Sequence, residues 1–151
     1  MASRAPRPGS RNLFGDPVRL PNMDPLEEPI HVSIVNYLRA TLPARFKVHH
    51  SPNGGMLKGI VKKQLRMGML PGWPDIELVG RDLDDRFFFG LIEVKSRTGK
   101  LSDSQEELHP DLVEIGCPLM VCRSIDDVRL FVGRYNLPSL DATIRYDNSA
   151  R

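Results

Sequence analysis

Two opposite charges stand at the end of one of the most apolar stretches of the chain. The run RFFFGLIEV at residues 86–94 has the composition of a buried strand, yet it contains Glu93, and Lys95 follows at once. Because the side chains of a strand alternate, Glu93 and Lys95 share the face of Phe89 and Leu91. A carboxylate and an ammonium at a strand end can form the wall of a cleft. They can equally be an ion pair at an exposed strand terminus.

A second carboxylate, Asp75, favours the cleft. Asp75 opens the strand DIELVG at residues 75–80, and the polar turn RDLDD joins this strand to the next. If the two strands pair as a hairpin, Asp75 at the start of one lies near Glu93 at the end of the other. Converging carboxylates repel unless a cation lies between them, and Mg²⁺ suits such oxygen ligands. With Lys95 to orient a water or to stabilise developing charge, the three residues could hydrolyse a phosphodiester.

The elements that must position these residues alternate along the chain. Hydrophobic periodicity, capping residues and turn signals predict four helices and four strands. The predicted helices span residues 24–43, 56–68, 101–116 and 124–133, and the predicted strands span residues 45–50, 75–80, 86–94 and 118–122. Pro110 is expected to kink or split the third helix. The order of the elements predicts an α/β fold with a central mixed sheet flanked by helices.

Composition and charge fit a single globular domain. The chain has 151 residues, of which 40% are apolar and 26% charged, and its net charge of +2 is too small to indicate nucleic-acid binding alone. Residues 1–15 and residues 56–73 are basic and contain no acid. Such segments can contact phosphates, or they can be a disordered tail and a solvated helix face.

The cysteines and the N-terminus predict a cytoplasmic protein with no membrane partner. Cys117 and Cys122 form neither a disulfide framework nor a metal-binding pattern, so we interpret them as core residues on opposite faces of one strand in a reducing compartment. No run reaches the length of a membrane span, and the N-terminus lacks the apolar region of a signal peptide.

The order of the motifs resembles a known nuclease family. The residues PD and EVK match the short signature of the PD-(D/E)xK nuclease superfamily, and the segments HHSPNGG, GMLPGWPDIELV, LIEVKSRTGKLSDSQEEL and IGCPLMVCRS together resemble the VRR-Nuc (virus-type replication-repair nuclease) family. The resemblance implies a restriction-endonuclease-like PD-(D/E)xK fold. We expect a flexible basic arm at residues 1–23, a VRR-Nuc nuclease domain at residues 24–133 and a C-terminal tail at residues 134–151.

The resemblance also implies roles for the residues on the two strands. Asp75 and Glu93 match the metal-binding carboxylates, the backbone carbonyl of Val94 is a further expected ligand, and Lys95 matches the catalytic lysine. The cofactor implied is Mg²⁺ or Mn²⁺.

Two helical residues are expected to complete the site. Gln105 matches the glutamine that lies beside the site in the family, and an acid is expected on the first helix, where Glu27 or Glu28 could fill the role. We prefer Glu27 because it lies one turn before His31, where the family often has glutamine. Gln105 and Glu27 each stand three residues after a capping Ser or Asp, so either could instead be a capping-box partner.

A turn and a basic helix are the expected DNA contacts. Asn53 and Gly54 belong to a turn whose backbone could approach DNA. The side chains of Lys58, Lys62 and Lys63 would contact phosphates, which position a substrate without reading its sequence.

Other polar residues are expected to have structural roles. Glu77 is predicted to be an exposed strand acid rather than a neighbour of the site, and His109 is expected at the surface. Trp73 either packs the loop or stacks on an exposed base. His50 with PNGG resembles the HNH nucleases, but residues 57–69 lack the second histidine that those enzymes need.

The function implied is metal-dependent, structure-selective cleavage of DNA. A small homodimer with two active sites would suit a four-way junction, so we expect a Holliday-junction resolvase-like enzyme of phage or bacterial DNA replication and repair. The alternatives are a flap or nicking nuclease, a non-catalytic DNA-binding module that keeps the fold, and a small-molecule hydrolase with a deep apolar pocket. The intact Asp75, Glu93 and Lys95 argue against the non-catalytic module.

Overall fold

A four-stranded mixed sheet forms the centre of the fold. The structure is a computed structural model that describes residues 27–52 and 58–146. Its helices are α1 (Glu27–Thr41), α2 (Lys58–Arg66), α3 (Asp103–Glu114) and α4 (Ile125–Arg134), and its strands are β1 (Lys47–His50), β2 (Ile76–Arg81), β3 (Phe87–Val94) and β4 (Leu119–Cys122). The element order is the one that the sequence predicts, with bounds that differ by a few residues.

The pairing of the strands brings Asp75 and Glu93 together. The strands follow one another across the sheet in chain order, with β1–β2 and β2–β3 antiparallel and β3–β4 parallel. The hairpin register aligns Ile76 with Ile92, so the next pair along the ladder is Asp75 and Glu93. The parallel step to β4 needs a crossover, and α3 supplies it.

The two faces of the sheet have different environments. The main core lies between one face and the helices α1 and α4, and it contains fully buried apolar side chains: Ile34, Leu38, Ile76, Leu78, Ile92, Val94, Val128, Phe131 and Val132. On the opposite face, Leu91 and Glu93 are fully buried on the side of the sheet where α3 packs. Alternation along β3 therefore directs Glu93 away from the main core.

Helix α3 continues through Pro110, which does not split it. A proline removes the hydrogen bond to the carbonyl four residues earlier, here that of Glu106. Pro110 and Glu106 are both exposed, so water can take the place of the lost bond.

The segment after α4 packs on the domain. Leu137 and Ile144 are buried in the main core. The carboxylate of Asp141 accepts hydrogen bonds from the Tyr37 hydroxyl at 2.7 Å and from Arg129 Nε at 2.9 Å. Part of the expected C-terminal tail is thus folded against α1 and α4.

The cysteines do not share a strand. Cys122 is fully buried on β4, whereas Cys117 precedes β4 and is half-buried, so the prediction of two core residues on one strand is wrong for Cys117. Within the described ranges, no helix has the length and apolar character needed to cross a membrane.

Candidate active site

A hydrogen bond across the hairpin fixes the carboxylate of Asp75. Asp75 directly precedes β2, and its Oδ2 accepts the backbone N–H of Val94 at 2.8 Å. The backbone carbonyl of Asp75 accepts the N–H of Ser51 at 2.9 Å. The side chain is thereby held at the end of β3, beside Glu93.

The carboxylate of Glu93 has one satisfied oxygen and one unsatisfied oxygen. Oε1 accepts hydrogen bonds from Lys95 Nζ at 2.7 Å and from Gln105 Nε2 at 2.6 Å. Oε2 is buried and accepts no hydrogen bond from the described residues; His109 Nε2 lies 3.9 Å away, and the carboxyl of Asp75 can bond to Glu93 only when one of the two acids is protonated. A buried oxygen without a partner costs free energy, so this position calls for a ligand.

Electrostatics show that the site has an excess of negative charge. Burial and the charge of Asp75 raise the pKa of Glu93 to about 7, although Lys95 acts in the opposite direction. Burial disfavours the charged ammonium of Lys95, but its hydrogen bond to Glu93 and the surrounding carboxylates outweigh that effect and raise its pKa. The site therefore holds a cationic lysine beside a buried glutamate whose charged form is disfavoured.

Of the two glutamates at the start of α1, Glu27 is the one near the site. Its Oε1 lies 3.7 Å from Lys95 Nζ, whereas Glu28 is exposed. Asp24, the residue that would cap this helix, lies outside the described residues. The geometry is consistent with the preference for Glu27.

Gln105 serves the helix cap and the site together. Its Oε1 accepts the backbone N–H of Ser102 at 2.9 Å, and its own N–H donates to Ser102 Oγ, which completes the capping box of α3. Because Oε1 is used by the cap, the amide must direct Nε2 toward Glu93. The two interpretations of Gln105 are compatible.

His109 is a neighbour of the site that the sequence-based prediction missed. The expected surface position is wrong, because the side chain is only 5% exposed. Nε2 donates to the carbonyl of Gly72 at 3.1 Å, and burial lowers the pKa of the imidazole. The signal was its spacing, because a residue four positions after Gln105 lies on the same face of a helix.

Glu77 is also more enclosed than predicted. It is half-buried, and its Oε1 accepts the indole N–H of Trp73 at 2.9 Å and the hydroxyl of Ser51 at 3.0 Å. The expectation of an exposed strand acid is therefore wrong. Glu77 holds Trp73 in a fixed orientation, two residues before Asp75.

The expected DNA contacts lie partly outside the described residues. Asn53 and Gly54 are not described, and Lys58 opens α2 without a described side chain. Lys62 and Lys63 are exposed on α2, which carries no acidic residue in its first turn. Their contact with DNA stays a prediction.

The donor atoms fit a hard divalent cation. In residues 27–52 and 58–146 there is no group of three or more His, Cys, Asp and Glu side chains that could hold a metal ion. The site instead offers the two carboxylates of Asp75 and Glu93, the second with its Oε2 unsatisfied among the described residues, and the expected ligand carbonyl of Val94 belongs to the residue whose N–H donates to Asp75. Mg²⁺ is commonly bound through one or two carboxylates while it keeps several waters, so this small set is sufficient.

The mixed sheet with Asp75 and the EVK segment at one hairpin end defines a protein of the PD-(D/E)xK nuclease class. The family model of the VRR-NUC domain matches residues 23–126, and the chain belongs to this nuclease family. The chain is also similar to a solved structure described as a VRR_NUC domain protein, with 22% identity and a TM-score of 0.55 over 72% of this chain and 86% of that chain. This likeness confirms the fold. A search of curated proteins found no match.

Proposed function

We propose that the protein is a Mg²⁺- or Mn²⁺-dependent deoxyribonuclease that hydrolyses phosphodiester bonds in branched DNA. One observation carries the proposal: no donor of the described residues reaches the buried Oε2 of Glu93, while burial and the nearby charge of Asp75 raise the pKa of Glu93. A divalent cation at this position would satisfy the oxygen and neutralise the excess negative charge.

The two carboxylates and the carbonyl of Val94 would hold the cation. A bound divalent cation polarises the phosphoryl group and lowers the pKa of the attacking water. The hydrogen bond from Val94 N–H keeps Asp75 in place for this role. Gln105, whose Nε2 donates to Glu93 Oε1, fixes the carboxylate so that its other oxygen is available.

Lys95 supplies positive charge and hydrogen-bond donors beside the carboxylates. Its Nζ lies between Glu93 Oε1 and Glu27 Oε1, at 2.7 Å and 3.7 Å. An ammonium has three donors, so Lys95 can orient a water and stabilise the charge that develops on the phosphate. Glu27 limits the freedom of the lysine from the side of α1.

The basic helix α2 would bind the phosphates of the substrate. Lys62 and Lys63 are exposed on α2, and Lys63 and Arg66 lie in its last turn. Such contacts supply affinity that does not depend on sequence and that weakens with salt. These lysines and the arginine support DNA as the substrate. A nuclease that acts on DNA would work in the cytoplasm of a bacterial or phage-infected cell.

A four-way junction is the first substrate to test, with a homodimer as the active form. Two copies would present two active sites to two strands. The exposed apolar side chains of Phe87 (73% exposed) and Ile115 (78% exposed) line a shared groove with Phe89 and Cys117, and they offer a surface for a second copy. A flap or nicking nuclease, the alternative, would cut a single strand and would need only one copy of the chain.

The test is cleavage of labelled duplex, flap and four-way-junction DNA in Mg²⁺, Mn²⁺ or EDTA. We expect metal-dependent cleavage that Asp75→Asn abolishes, because the amide keeps the acceptor for Val94 N–H but loses the charge. Asp111→Asn, an exposed carboxylate of α3, is the matched control and should retain activity. DNA binding without cleavage in either metal would refute the enzyme and favour the DNA-binding module.

A further inference from the structure

A cavity of about 420 Å³ is lined in part by residues that precede Asp75 in the chain or bond to its backbone. We name it the Trp73 pocket, and its lining residues are Ser51, Pro52, Gln64, Gly68, Met69, Leu70 and Trp73. Trp73 stands two residues before the metal-binding Asp75, and Ser51 donates its N–H to the carbonyl of Asp75. The pocket thus shares two structural elements with the candidate active site.

The aromatic wall of the pocket is held rigidly. The indole N–H of Trp73 donates to Glu77 Oε1 at 2.9 Å, and Glu77 is in turn bonded to Ser51. The preceding Gly72 has φ +81° and lies so close to α3 that an added Cβ would stand 2.3 Å from the carbonyl oxygen of Ser104. The tryptophan ring therefore cannot move freely away from the cavity.

The opposite wall is fixed by the end of α2. Gly68 has φ +97°, Met69 N–H donates to Gln64 O at 3.0 Å, and Gly68 N–H donates to Leu65 O at 3.1 Å. These two bonds form a Schellman motif, which ends a helix in one defined conformation. The motif places Met69 and Leu70 in the lining together with the amide of Gln64, which has both a donor and an acceptor.

The charge around the pocket suits a nucleic acid. Helix α2, which contributes Gln64, also carries Lys62, Lys63 and Arg66 and no acidic residue in its sequence KGIVKKQLR. An aromatic ring with apolar neighbours suits the flat face of a base, and the lysines and arginine suit the phosphates on either side of it.

We infer that the Trp73 pocket receives one unpaired nucleobase of the DNA substrate, stacked on the indole ring next to the phosphate that is cut. This inference rests on the proposed function and gives it a basis for structure selectivity. A base that is already unpaired enters without the cost of leaving the duplex, whereas a paired base must first be unstacked. Branch points and flaps are then preferred over continuous duplex.

Trp73 is the only tryptophan of the chain, so its fluorescence comes from this one ring, and the comparison of two DNAs separates the pocket from the groove of Phe87 and Ile115, which Trp73 also lines. The first measurement is a titration, in EDTA, with a duplex that has one unpaired nucleotide and with the same duplex fully paired. Fluorescence anisotropy of the labelled DNA measures binding in the same samples. We expect Trp73 emission to be quenched by the unpaired nucleotide and to change much less with the paired duplex.

The two signals separate the possible failures. Binding in the anisotropy signal with no difference in Trp73 emission between the two DNAs would overturn the pocket and leave the proposed nuclease intact. Absence of binding to either DNA would overturn the pocket and the proposed function together.

Variants then test the lining residues. Trp73→Ala should weaken binding of the unpaired-nucleotide duplex by roughly 5- to 150-fold, the usual range for loss of one stacked base, whereas Trp73→Phe should retain most of it. Met69→Ala should also weaken binding, and Met67→Ala, whose side chain is 70% exposed and outside the lining, should not. Equal behaviour of the two methionine variants would contradict the inference, and thermal melting confirms that each variant is folded.

Discussion

In the metal-free protein, the buried Glu93 should make stability fall as the pH rises. A pKa of about 7 in place of 4.5 means that an ionised Glu93 costs the folded state about 3 kcal/mol above pH 7. The folded state binds the proton more tightly than the unfolded chain does. The stabilising effect of the protonated form is therefore complete below pH 4.5 and is lost as the pH rises through 7.

The measurement is thermal unfolding between pH 5 and pH 8.5 in EDTA, for the wild type and for Glu93→Gln. A change of about 3 kcal/mol corresponds to a shift in Tm of roughly 6–12 °C for a chain of this size. The pKa values of His31 and His109 are lowered by burial, so these groups act with the opposite sign. The difference between the wild type and Glu93→Gln isolates the contribution of Glu93.

Addition of Mg²⁺ or Mn²⁺ should reverse this dependence. The cation binds the folded, ionised carboxylates, so it stabilises the protein more at high pH than at low pH. Glu93→Gln should show little stabilisation by the metal. The quantity to follow is the difference in Tm between the wild type and Glu93→Gln. If this difference does not change with pH, in EDTA or with metal, the assignment of Glu93 as a buried, metal-binding carboxylate is refuted.

Three further predictions concern the surroundings of the site. Glu27→Gln should slow DNA cleavage, because it removes one of the charges beside Lys95, whereas Glu28→Gln should not; equal rates in single-turnover assays would contradict this. Lys62→Ala should weaken binding to all DNA sequences and reduce the slope of log K against log salt by roughly 1, as measured by salt titration. Gly72→Ala should lower Tm well beyond Gly68→Ala, because both positions have φ > 0 but only Gly72 lacks room for a Cβ; similar melting temperatures would contradict this.

The sequence predicts the strand part of the site well. Strand composition and the short turn between residues 81 and 85 favour a hairpin, and a hairpin has few possible registers. Once the register is given, the proximity of Asp75 and Glu93 follows from the alternation of side chains. The order of helices and strands is predictable for a similar reason, because it depends on local periodicity and capping.

The helix part of the site is less predictable from sequence. Whether His109 is exposed depends on how α3 crosses the sheet, and no local pattern fixes that crossing. Glu77 is enclosed because Trp73 and Ser51 reach it from two different loops. Whether Pro110 breaks α3 also depends on the tertiary structure, because the Glu106 carbonyl that loses its helical hydrogen bond is exposed and can bond to water instead.

Helix α3 connects the two carboxylates through separate contacts. Near its start, Gln105 holds Glu93 Oε1 at 2.6 Å, and one turn later His109 holds the carbonyl of Gly72 at 3.1 Å, three residues before Asp75. Helix α3 therefore contacts Glu93 directly and contacts the loop that leads into Asp75. The proposed cation would be held by these two carboxylates, so its affinity should depend on the contacts that α3 makes with both of them. The contact of His109 with Gly72 also places the loop that carries Trp73, so the proposed metal site and the Trp73 pocket both depend on α3.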